Sequence, residues 1–275
     1  MLAPISLLRR LLLLSVGLLF AGSAAAQGTW NLAADACDPN GNPGSAGCTV
    51  GSVNANVTAW ANTGSGGTYV QAYISDQGTS GVGATSITNG TYETPYNGHH
   101  AFDNVGGNAT YGGTNEMALL QFSEAVNLSS IAIGWRTTDS DASILRWTDM
   151  SSGPDLTQMT TTGTSGLVAS GWELVSSADM DSTYGMNSGT SLYSSWWLVS
   201  TYFGSSTSGS TGTLDKGNDY FKLRSFTASV CAGSVGTDGG CGPGTSTGVP
   251  EPASLALVSF ALAGLGWSRR GRRST

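Results

Sequence analysis

The sequence predicts an all-β fold, a β-sandwich of the jelly-roll kind, set between two terminal segments of different character. Three observations lead there. Apolar and polar residues alternate along Val53-Asn54-Ala55-Asn56-Val57-Thr58-Ala59, and Ile131, Ile133 and Trp135 repeat every second residue, as half-buried strands do. Clusters of Gly, Ser, Thr and Asn at 62–67, 78–90, 106–114 and 204–212 read as the loops between strands. Between the ends, no long segment carries the helical period. Short strands joined by glycine-rich turns favour a sandwich.

Composition narrows the classes. The chain has 275 residues, 40 of them Gly, with 11% charged residues and a net charge of −7. An ordinary soluble domain carries about 25% charged residues. An acidic chain poor in Lys and Arg lacks the clustered positive charge that nucleic acid requires. Eight Trp, nine Tyr and seven Phe argue against wholesale disorder. The glycines follow no three-residue period, which excludes collagen, and no internal repeat supports a propeller or solenoid.

Taken in chain order, residues 1–26 read as a signal-peptide helix. Arg9 and Arg10 form a basic start, 11–20 is an apolar run, and Ala24 and Ala26 place cleavage before Gln27. The run is too short to span a hydrocarbon core of about 30 Å. The competing reading is an uncleaved N-terminal anchor. Residues 27–233 then form the β-sandwich ectodomain. Besides the strand at 53–59, Met117-Ala118-Leu119-Leu120-Gln121-Phe122 reads as a strand buried on both faces. Trp196-Trp197-Leu198-Val199 and Tyr220-Phe221-Lys222-Leu223-Arg224 are further strands. Phe226 breaks the alternation set by Phe221 and Leu223, which predicts a β-bulge near Ser225.

Four cysteines in an exported chain predict disulfides. Of three connectivities, the local pairs Cys37–Cys48 and Cys231–Cys241 are favoured, because each lies in a Gly-rich loop able to bring the Cα atoms to about 5.5 Å. A clasp between the two ends of the domain is the alternative, and the absence of Cys-x-x-Cys disfavours a metal. His99-His100 is the only histidine pair. Adjacent strand residues point to opposite faces, so a loop role is favoured over a base or ligand. Asp139-Ser140-Asp141 presents alternating carboxylates. Calcium takes 6–8 oxygen ligands, which makes Asp139 and Asp141 its candidates. The competing reading is a turn whose Asx side chains bond their own backbone. Trp196-Trp197 places one ring on each strand face, one in the core and one available for stacking on a sugar.

Residues 234–248 read as a flexible Gly/Ser/Thr linker. Within it, Gly244-Thr245-Ser246-Thr247-Gly248 matches the nucleophile-elbow letters. It lacks the strand and helix that the elbow needs, so the match carries no chemistry. Residues 249–275 combine Val249-Pro250-Glu251-Pro252, an uncharged apolar stretch at 253–267, and Arg269, Arg270, Arg272 and Arg273. Fifteen helical residues reach about 22 Å, short of a bilayer core, and snorkelling arginines cover the deficit. The arginines belong on the cytoplasmic side of this short transmembrane helix. An ordinary C-terminal anchor is the competing reading.

That order of parts resembles the PEP-CTERM sorting signal of Gram-negative bacteria. The resemblance implies a transient inner-membrane anchor, processing by exosortase after Sec export, and delivery to the cell surface or extracellular matrix. The ectodomain is similar to exosortase-dependent surface proteins of the XDP type. The similarity rests on the segment from Val57 to Gly64, His99-His100-Ala101-Phe102-Asp103-Asn104, the run from Ala118 to Phe122, and Ile133-Gly134-Trp135. Thr138-Asp139-Ser140-Asp141, Ser195-Trp196-Trp197-Leu198-Val199-Ser200 and Asp219-Tyr220-Phe221-Lys222-Leu223 complete the set. The resemblance implies no catalytic residue to carry over; no cofactor is expected beyond the calcium for which Asp139 and Asp141 are candidates.

The expected role is a non-enzymatic structural or interaction protein in contact with extracellular polysaccharide. A carbohydrate-binding module, calcium-dependent or not, is the alternative. A secreted hydrolase is less favoured and would need two carboxylates about 5–10 Å apart in a cleft. Six basic residues and one acid, Glu251, lie at the ends, so residues 27–248 carry −12. The exported part is thus more acidic than the whole chain, which reinforces the exclusion of nucleic acid.

Overall fold

The computed structural model describes residues 27–88, 91–92, 100–104, 115–137, 139–186, 192–204, 214–215 and 217–242. The regular structure of the described residues is β-strand apart from short 3-10 turns. Its strands are β1 (Gln27–Asn31), β2 (Pro39–Asn40), β3 (Ser45–Val50), β4 (Val53–Ala61), β5 (Val70–Asp76), β6 (Val82–Thr85), β7 (Ile87–Thr88) and β8 (Thr91–Tyr92). There follow β9 (Phe102–Asp103), β10 (Glu116–Arg136), β11 (Asp141–Trp147), β12 (Trp172–Asp179), β13 (Thr183–Gly185), β14 (Ser194–Thr201) and β15 (Tyr220–Val230). The segment at 78–90, expected as a loop, holds β6 and β7. The four residues of β6 are all buried and pair antiparallel with β5, which makes them a strand despite their glycine neighbours.

One strand organises the rest. β10 is 21 residues long and absorbs two sequence runs that read as separate strands. Its first half pairs β4 and β14; its second half pairs β15 and β13. Thirteen of the described strands therefore join in one hydrogen-bonded network. Within it the path β10–β4–β5–β6–β15 returns to β10 and closes. Closure removes free edges from that part of the sheet.

The burial pattern follows from the alternation. Ala118, Leu120 and Phe122 of β10 enter a large core with Trp30, Val57, Ile74, Trp197, Phe221 and Phe226. Met117 and Leu119 face the other way, into a second core with Tyr69, Leu145, Trp147, Trp172 and Leu198. The strand is buried on both faces because each face has its own core. In the large core, Trp30 stacks on Phe226 at 5.6 Å and meets Phe122 edge-on at 5.4 Å. Such pairs add about 0.5–1.5 kcal/mol beyond area burial. The bulge is present. Ala132 opposes Ser225 but Ile133 opposes Leu223, leaving Arg224 as the extra residue. That insertion lets Leu223 and Phe226 both be buried while Arg224 is exposed.

Two disulfides, Cys37–Cys48 and Cys231–Cys241, close local loops with Cα separations of 4.9 and 5.6 Å. The second corrects the expected linker boundary. Val235 bridges Cys241, Leu192 bridges Gly240, and the Gly236 N–H donates to the Gly240 carbonyl at 2.8 Å. Residues 234–242 are thus part of the domain, whose compact unit extends to Gly242. Their small polar side chains disguised backbone pairing as flexibility. Among the described residues no helix is long and apolar enough to cross a membrane. The helices expected at 1–26 and 253–267 lie outside those residues.

Candidate functional site

The site grows from the start of two strands. Asp139 and Asp141 flank the entry to β11, and Asp219 directly precedes β15. A parallel bridge joins Asp139 to Asp219, and the Tyr220 N–H donates to the Asp139 carbonyl at 3.0 Å. The Asp141 N–H donates to Asp219 Oδ1 at 3.0 Å. These backbone bonds bring all three carboxyl groups together, with one oxygen of each within 4.8 Å of the others. All three residues are fully buried.

The loop at 100–104 covers the cluster. The Asp219 N–H donates to Asn104 Oδ1 at 3.0 Å, and Asn104 Nδ2 donates back to Asp219 Oδ2. Glycine makes this loop's approach possible. A Cβ on Gly83 of β6 would lie 1.6 Å from the His100 carbonyl oxygen. His100 itself sits at φ 59° and its Nδ1 shares a 2.7 Å hydrogen bond with Thr85 Oγ1. It is a loop residue tied to β6; His99 lies outside the described residues.

Other bonds use only part of the acidic cluster. Asp139 Oδ1 accepts from the Ser140 N–H at 2.9 Å, and Asp141 Oδ2 accepts from the Asp215 N–H at 2.6 Å. Asp139 Oδ2 and Asp141 Oδ1 are buried without a donor, as is Asn218 Oδ1 beside Asp219. Burial, then the charge of Asp141, pushes the Asp219 carboxyl up to about 8. Burial likewise pushes Asp141 up to about 6, with Asp139 the largest charge acting against it. Asp139 is also raised, chiefly by burial. The expected pair Asp139 and Asp141 is therefore brought together, but not as a hairpin turn. Sequence reasoning missed Asp219, whose signal was an Asp215-Lys216-Gly217-Asn218-Asp219 run abutting a strand.

A second polar network lies nearby. The Tyr69 hydroxyl donates to Asn115 Oδ1 at 2.8 Å and lies 3.0 Å from Thr161 Oγ1. Asn115 Nδ2 donates to Thr201 Oγ1 at 2.8 Å, fixing the start of β10 to the end of β14. Replacing Tyr69→Phe keeps the ring and removes one buried hydroxyl. Urea unfolding is expected to show a loss of about 1 kcal/mol.

The tryptophan pair divides as β14 alternates. Trp197 is in the large core and Trp196 is half-buried. Trp196 lines a shallow cleft with Asp149, Met150, Ser151, Ser152, Gly153, Ser194 and Ser195. The Asp149 carboxylate is already bonded to the Ser151 and Ser152 hydroxyls, each at 2.6 Å. The Gly244–Gly248 match and the residues at 249–252 and 269–273 lie outside the described residues.

Comparison with known proteins locates the C-terminal chemistry. Residues 248–270 match the family described as the PEP-CTERM protein-sorting motif. No curated protein and no solved structure matches the chain. The motif marks exosortase-dependent C-terminal sorting of an exported protein that is held at the membrane and then processed.

Proposed function

From that sorting motif as premise, we propose that the β-domain is a non-enzymatic structural or interaction protein of a Gram-negative cell surface or extracellular matrix. Sec exports it, a short helix at 253–267 holds it in the inner membrane, and exosortase processes it at Val249-Pro250-Glu251-Pro252. The domain then resides among extracellular polysaccharide. The observation that carries this reading is the match at 248–270 following an acidic exported domain. Two disulfides among the described residues fit an oxidising compartment. The enclosure of Asp139, Asp141 and Asp219 also favours it, because hydrolysis needs carboxyl groups that a substrate can reach.

Deleting residues 249–275 tests the reading. The truncated protein is expected in the culture medium, whereas the full chain stays with the envelope or matrix. Mass spectrometry of the mature full-length product is expected to find a C-terminus lacking Arg269, Arg270, Arg272 and Arg273. Envelope retention of the truncated chain, or an intact arginine cluster in the mature product, refutes the proposal.

A further inference from the structure

We propose that Asp139, Asp141 and Asp219 form a structural calcium site that locks the entry of β11 to the entry of β15. This inference is independent of the sorting reading.

The first support is geometric. Two ligands of one calcium ion, each about 2.3–2.6 Å from it, lie at most roughly 5 Å apart. The three carboxyl groups each offer an oxygen within 4.8 Å of the others, which is inside that limit. Two distant parts of the chain supply them, and two strands, β14 and β10, separate β11 from β15 in the sheet order. An ion at the cluster therefore reinforces the single Asp139–Asp219 bridge between two strands that no ladder pairs.

The second support is the unused bonding capacity. Asp139 Oδ2 and Asp141 Oδ1 are buried, have no donor, and belong to fully buried residues of the cluster. Buried carboxylates require a compensating charge or hydrogen bonds. The ion pairs Arg136–Asp181 and Arg146–Glu173 direct their guanidinium groups to other carboxylates than these three. A divalent cation supplies positive charge and bonds the open oxygens together.

The donor chemistry selects calcium. All donors are hard oxygens, whereas zinc favours nitrogen and sulfur. Magnesium keeps several waters, which suits an enclosed cluster less well than calcium's replacement of water by protein oxygens. The backbone donors also matter. The Ser140 and Asp215 N–H groups each hold one oxygen of a carboxylate, leaving the other without a donor. They orient the ligands before the ion arrives.

The full chain, purified from producing cells and stripped with EGTA, provides the test. Isothermal titration with calcium chloride is expected to give one ion per chain. Millimolar calcium is expected to raise Tm by about 5–10 °C, with a smaller rise in magnesium. The double substitution Asp141→Asn and Asp219→Asn is expected to abolish both effects. Asp149→Asn, in the surface cleft, is expected to change neither. Absence of calcium binding by the stripped wild-type chain overturns the proposal without reference to any variant. Preference for magnesium or zinc, or calcium binding retained by the double variant, also overturns it.

Discussion

Stripped of divalent ions, the protein is expected to lose stability as pH rises from 5 to 8.5, the opposite of most acidic domains. The carboxyl of Asp219 is pushed up to about 8 and that of Asp141 up to about 6, while the unfolded chain titrates near 3.8. Below the unfolded value both groups are protonated in both states and their contribution is fully present. Above it the unfolded chain releases these protons and the folded chain resists, so stability falls as pH rises through the folded values. Among the described residues, the groups acting on the cluster include Asp179 from β12, Asp215 and Asn104 from the covering segments, and Arg136 from β10. Of these, Arg136 alone is cationic, and it is paired with Asp181. Each tenfold difference in proton affinity between the folded and unfolded chain is worth about 1.4 kcal/mol. Relaxation of the cluster and entry of water reduce the sum to a few kcal/mol. For a domain of this size that is a fall in Tm of roughly 10 °C.

Thermal melts in EGTA at pH 5, 6.5 and 8.5, at fixed ionic strength, measure the slope. A Tm that stays level or rises contradicts the assigned burial of charge. Asp219→Asn removes the group with the highest value and is expected to flatten the profile. Calcium is expected to reverse the slope, because carboxylates bind it after losing their protons. The same protein then gains stability with pH when loaded and loses it when stripped.

The parts legible from sequence were those governed by local alternation. The period-two run at 53–59 became β4, and the parity break at Phe226 marked a true bulge at Arg224. The all-β class rested on such local signals. The link between the runs at 117–122 and 131–135 was not legible, because Ser123, Glu124 and Ala125 between them resemble a turn. Only pairing with β4 and β14 before that point, and β15 after it, makes them one strand. The acidic site divides in the same way. Asp139 and Asp141 share a face through alternation, whereas Asp219 joins them across 78 residues by a tertiary bridge. Burial then changed its meaning. An Asx turn and an enclosed carboxylate cluster share the same letters, and only the covering loop at 100–104 distinguishes them.

Arg146→Met is expected to destabilise the domain by about 2–3 kcal/mol and to free the C-terminal disulfide loop selectively. Arg146 lies on β11 opposite Glu173 of β12, with its side chain 4% exposed. Its Nε donates to Glu173 Oε2 at 3.1 Å, and Nη2 donates to the same oxygen. Nη1 donates to the Tyr193 carbonyl at 3.1 Å, and Nη2 also reaches the Asp238 carbonyl at 3.4 Å. One planar fork thus ties β12, the approach to β14 and the Cys231–Cys241 loop together. Glu173, 43% exposed, recovers water after the substitution, so the full cost of an abandoned buried charge does not apply. The Tyr193 carbonyl loses a buried donor and has no such exit. Lysine recovers one contact but not the fork, so Arg146→Lys is expected to restore less than half of the loss. The loop has adapted to the guanidinium. Gly239 sits at φ 82°, and a Cβ there would lie 1.8 Å from Arg146 Nη1. Gly239→Ala is therefore expected to displace the same contact from the other side. Hydrogen exchange and thermal unfolding separate the two effects. Exchange should rise within 231–242 while β4 and β10 remain protected, since the disulfide keeps the freed loop closed. Unchanged exchange in that loop, with unchanged Tm, removes the anchoring role assigned to Arg146.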